Sequence, residues 1–306
     1  MKKKWIMLGG AVGISSILMV TTGFSALAST TGYDAYKSAL KNTKAASNVS
    51  VQAAASLQDN GNVLADLTSN LKVNLSNETA SGTVDMTANS SKQSLAFFKQ
   101  NSQTVLKSGA SDVYYVKQEG KGRHPHDDNE TKDDAQTSQQ IETVIDALVG
   151  NLKDYVNVDS QADGSKQISV QLDNTQIPTV VNAIAPIAIK EATKKENDGE
   201  KQDDTQAPAL FQKDFLKDAA PQLSQDIKIE KVSIKASVNA SNYIEHQEAD
   251  LTVSGKDDNG APHQVTLHVQ ADLSDFNNTT PESIDLTGKN VQTLKRGHEG
   301  RNNNQD

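Results

Sequence analysis

From Asn48 onward the chain alternates apolar and polar residues with a period of two, and this is the feature that most narrows what it can fold into. Val49, Val51, Ala53, Ala55 and Leu57 form the first run, and Asp59, Asn60 and Gly61 follow as a turn tolerant of positive φ. Val63, Ala65 and Leu67, then Leu71, Val73 and Leu75, continue the pattern and predict a long hairpin with one buried face. Val84 and Met86, Leu95 and Phe97, Val105, and the run Val113 to Val116 extend it to about six antiparallel strands before residue 117.

The same alternation returns late in the chain. A strand over Gln167 to Leu172 precedes three long ones, Ile227 to Val238, Tyr243 to Ser254 and Gln264 to Leu273, with a turn at Lys256 to Gly260. Ile227 and Ile229 are out of phase with Val232, Ile234, Ala236 and Val238, so a β-bulge is expected near Lys231.

Elsewhere the period is helical. Tyr33, Tyr36, Ala39 and Leu40 predict a short amphipathic helix over residues 33–44. Ile141, Val144, Ile145, Leu148, Val149 and Leu152 predict a second, capped by Thr137 or Ser138. A third spans Thr175 to Thr193, kinked or divided at Pro186 and apolar around much of its circumference. A fourth begins at Pro208 and carries Leu210, Phe211, Phe215 and Leu216. Charged loops are expected at residues 117–137 and 194–206, and residues 287–306 are expected to be a disordered tail.

The first 28 residues read as a secretory signal: Lys2, Lys3 and Lys4, an apolar run from Trp5 to Val20, and Ala26-Leu27-Ala28 ahead of Ser29. Export is therefore expected, to the cell envelope or the extracellular space. Left uncleaved, the segment would anchor the chain at the outer face of the cytoplasmic membrane, its only contact with a membrane. Residues 29–286 are expected to form a single β-rich domain. Without residues 1–28 the chain has 27 basic and 39 acidic residues, a balance that repels nucleic acid and anionic membrane surfaces. The chain has no cysteine, which rules out disulfides, thiolate zinc sites, cysteine nucleophiles and a lipidated cysteine at the signal junction. Aromatic residues make up only 4%, so the core must rest on Val, Ile, Leu and Ala.

Little in the sequence points to chemistry. His124 and His126, with Asp127 and Asp128 beside them, have donor types that suit a divalent metal, although a solvated charged loop explains the same residues. His246, His263 and His268 read as solitary surface histidines on or near the last strands. No nucleophile elbow, P-loop, dinucleotide fingerprint, H-E-x-x-H motif or calcium loop is present, so neither an enzyme nor a cofactor is expected.

The order of elements, a helix, about six strands, central helices, three long strands and a terminal Pro-containing segment from Phe276 to Asp285, resembles the LolA/LppX-type lipoprotein carriers. The resemblance covers residues 33–286 and lies in architecture, not in motifs. It implies an α+β fold, a strongly curved, incomplete antiparallel β-barrel of about nine to ten strands with three to four helices on or in its concave face. It further implies an apolar space between sheet and helices that holds acyl chains. The helix over Thr175 to Thr193 would then be a lid or plug contributing Val180, Val181, Ile184 and Ile187, and the strands would contribute Leu71, Val73, Val232, Ile234, Leu267 and Val269. The expected role is non-enzymatic binding of a lipid, a lipoprotein or another apolar ligand. Two alternatives stay open: a core filled by the protein's own helix, and an envelope interaction or sensor module that meets another envelope protein and takes no small ligand.

Overall fold

The computed structural model describes residues 31–88, 91–118, 155–179, 181–183, 186, 189 and 219–294. The signal segment, the expected helices around 141–152 and 208–216, the loop at 194–206 and the loop expected at 117–137 lie outside the described residues, except Lys117 and Gln118 of the latter, which are strand.

Twelve strands form one open sheet, where nine to ten were expected. In chain order they are β1 (Asn48–Asp59), β2 (Asn62–Asn74), β3 (Thr79–Ala88), β4 (Ser91–Gln100), β5 (Gln103–Ser108), β6 (Val113–Gln118), β7 (Val156–Ser160), β8 (Lys166–Asp173), β9 (Gln225–Val238), β10 (Ile244–Lys256), β11 (Pro262–Ser274) and β12 (Asn290–Thr293). Across the sheet the order is β12-β6-β5-β4-β3-β2-β1-β11-β10-β9-β8-β7. Every neighbouring pair is antiparallel except β12 with β6, which is parallel.

Local chemistry sets the turns. Asn60 and Gly61 join β1 to β2 with φ of 49° and 81°, the positive values that two-residue hairpin turns need. Gly260 follows suit at φ 82°, in a turn where the Asp257 carboxylate accepts hydrogen bonds from the Asn259 and Ala261 amides. The expected bulge is present: Thr252 pairs with Lys231 and Val253 with Ile229, which leaves Glu230 as the extra residue. That one insertion returns Ile227 and Ile229 to the face shared by Val232 and Ile234.

Helices are fewer among the described residues than the three to four expected. Among the described residues the one α-helix longer than a few residues is α1 (Thr31–Ala45), slightly longer than its periodicity predicted. A 3-10 turn, Asn174–Gln176, follows β8 and leads to helical residues at 181–183. No described helix is long and apolar enough to cross a membrane. The end of α1 is tied to the β9–β10 turn: Thr43 Oγ1 accepts from the Ile244 amide at 2.9 Å, and the Asn42 side-chain amide donates to the Ser241 carbonyl at 3.0 Å.

Two strands escape the sequence pattern. β7 offers only Val156 and Val158 to alternate, too short a run to detect. β12 lies within the stretch expected as a disordered tail, which is a correction. Three of its four residues are polar, but an edge strand binds through main-chain groups, and the bare edge of β6 supplies them whatever side chains arrive. To reach β6, residues 275–286 cross the sheet as a strap. Asn277 N donates to Asn48 O at 2.9 Å, Glu282 N to Ser81 Oγ at 2.8 Å, and Gln100 both donates to and accepts from the main chain of Ile284.

Candidate apolar binding face

In an antiparallel ladder directly paired residues share a face, so the register shows which side chains lie together. One row runs Met86, Leu67, Ala55, Val269, Ala249, Ile234, Val170 and Val156, across all the strands from β3 to β7 in sheet order. The next runs Ala88, Ala65, Leu57, Leu267, Leu251, Val232 and Leu172. Neither row contains a polar side chain. The opposite face is mostly polar at its centre, with Ser56, His268 and Asp250 in one row, Gln52, Asp272 and His246 in another, and Ala54, Gln270 and Glu248 in the row between.

All six strand residues singled out from the sequence fall on the apolar face. Val269 and Ile234 are in the first row and Leu267 and Val232 in the second, while Leu71 pairs with Val51 and Val73 with Val49. Each of the six is half-buried. Of the helical candidates, Val181 packs with Ile189 and Val232 against the buried Leu172, Ile177 and Ile229. Val180, Ile184 and Ile187 lie outside the described residues, as do His124, His126, Asp127 and Asp128.

Parts of the face are covered by the chain itself. Ala35, Tyr36, Ala39 and Leu40 of α1 pack on Ile168, Ala236, Val238 and Ile244. Leu223, only 1% exposed, packs on Ile227 and Val253, and Ala220 packs on Leu57 and Ala65. Burying a side chain of Leu, Ile or Val contributes about 1.5–3 kcal/mol, so these contacts hold the helix and connecting segments to the sheet.

Ala53, Ala55, Ala249 and Ala271 cluster near the centre of the face around Val269, and Ala53, Ala55 and Ala271 are buried there. Sequence reading missed these alanines as a site. Their signal, small residues in the middle of three long strands, becomes visible only when the strands are placed side by side. One polar residue in the next row, Gln247, is satisfied: its Oε1 accepts from the Tyr36 hydroxyl at 3.0 Å. Burial pushes the Tyr36 phenol up to about 12, so it remains a donor at neutral pH.

The histidines are not solitary. On the polar face His246 Nδ1 lies 2.7 Å from Asp272 and His268 Nδ1 lies 2.7 Å from Asp250. His263, at the end of β11, meets Asp59 at 2.8 Å. Hydrogen bonding to Asp250 raises the pKa of His268, and the Lys235 ammonium, 2.6 Å away, holds Glu248 below the usual carboxylate range. Even so, no group of three or more His, Asp or Glu residues among those described is placed to hold a metal ion.

Neither a model of a known protein family nor a curated protein sequence matches this chain.

Proposed function

We propose that this is a non-enzymatic, exported protein of the cell envelope that binds a lipid or another apolar ligand in the manner of a carrier. The observation that carries the reading is the pair of uninterrupted apolar rows on one face of a sheet that does not close on itself. None of the residues in these rows is exposed: α1 and the connecting segments cover part of the face, and in this reading a lipid covers the half-buried remainder. The wholly apolar rows suit a flexible aliphatic chain, which needs van der Waals contact along its length and no hydrogen bonds. In this reading the sheet is an incomplete, strongly curved barrel of the LolA/LppX type, with α1 and the segment around Val181 lying on its concave side. The strand residues Leu71, Val73, Val232, Ile234, Leu267 and Val269 line the space.

The test is native mass spectrometry of the protein purified from its own envelope, followed by organic extraction of whatever co-purifies. The expected result is a stoichiometric adduct that extraction releases as lipid. A bare polypeptide mass, with no lipid in the extract, overturns the reading in favour of an interaction module.

A further inference from the structure

The polar face carries a cleft that lipid binding does not use. Two cross-strand rows form its floor: Ser50, Lys72, Ser81 and Phe98 in one, and Gln52, Asn70, Thr83 and Ala96 in the other. The strap from Asp275 to Glu282 overhangs the first row, fixed by the Thr279 and Ser50 hydroxyls at 3.0 Å and by Ser81 under the Glu282 amide. The cleft is half open to solvent and has a volume of about 340 Å³.

The groups facing this space narrow what it can take. Gln52, Asn70 and Thr83 stand exposed in adjacent positions on β1, β2 and β3, and their side chains make no hydrogen bond among the described residues. Together they offer two amides and a hydroxyl, each able to donate and accept. Phe98 closes one end with an aromatic ring, in a chain with few of them. The only cation lining the cleft, Lys72, is engaged by Glu282 at 3.0 Å, so an anion finds no free positive charge. A peptide would bind a sheet through an unpaired strand edge, yet this floor is made of strand interiors whose main-chain groups are already used in the ladder.

We propose that this cleft binds a neutral saccharide. Gln52, Asn70 and Thr83 hydrogen-bond its hydroxyls, and the flat C–H side of a sugar ring stacks on Phe98. The strap forms the second wall and holds the ring against the sheet. Because the site lies on the face opposite the apolar rows, it stands or falls independently of lipid binding.

The experiment titrates chitotetraose, cellotetraose and maltotetraose separately into the full chain by calorimetry. At least one of the three is expected to give saturable heat. Gln52→Ala with Asn70→Ala is expected to weaken that binding about tenfold or more, because two hydrogen-bonding groups are lost. The same double variant should keep the parent Tm, since neither amide holds the fold together, and should keep any lipid adduct seen by native mass spectrometry. Phe98→Leu separately tests the stacking surface while preserving apolar volume, and it too should weaken binding. The proposal is overturned if no saccharide binds at millimolar concentration, if the double variant binds as tightly as the parent, or if an extended serine-rich peptide binds in place of all three sugars.

Discussion

Ser69 places a hydroxyl between Ala53 and Val84 on the apolar face, 3% exposed and with no hydrogen-bond partner for its Oγ among the described residues. A buried hydroxyl without a partner keeps its full desolvation cost. Ser69→Ala is therefore expected to raise stability by about 1 kcal/mol. The measurement is a urea midpoint at unchanged slope; a midpoint that falls instead would mean the hydroxyl is satisfied in solution. His268 acts in the other direction. Its pKa lies above the ordinary 6.5, first because of its hydrogen bond to Asp250. Proton binding is thus tighter in the folded than in the unfolded chain, so the pair's contribution is complete below the unfolded value of 6.5 and is lost as pH rises through the raised one. A plot of Tm against pH should fall across that window, and His268→Gln should flatten it. An unchanged slope in the variant would count against the pair.

At the level of elements, the sheet is finished by a strand that carries almost no pattern. β12 covers the edge of β6 with Asn290 to Thr293, and Leu294 N adds a hydrogen bond to Val116 O at 2.9 Å. Ending the chain after Leu286 should bare that edge. Amide exchange in β6 is then expected to quicken while β1 and β11 keep their protection, and equal protection throughout would show that β12 contributes nothing to order there. The bulge at Glu230 was legible in the sequence because a buried face forces phase, and the slip between Ile229 and Val232 can be absorbed in only one way. α1 was legible for the same reason, through its 3-4 spacing. β7 and β12 were not, because strands this short bury too few side chains to leave a period.

For the whole molecule, the decisive contact is between β1 and β11, which pair Ser50 with Ser274 through to Asp59 with Val265. This joins the early meander to the late three strands and turns two separate apolar faces into one. The alternation by itself determined which side of each strand is apolar, since burial on one face imposes a period of two on the sequence. That is why the alternation assigns Leu71, Val73, Val232, Ile234, Leu267 and Val269 to the apolar side; that they line a ligand space is implied only by the resemblance to the carriers. What it could not determine is adjacency. Pairing across more than two hundred residues depends on which edges remain free once the local hairpins have formed, and main-chain edges look alike in any sequence. Only the tertiary structure decided that the two apolar faces are continuous, that alanines meet at their centre, and that Asp275 to Glu282 of the strap cross the polar side to roof a cleft.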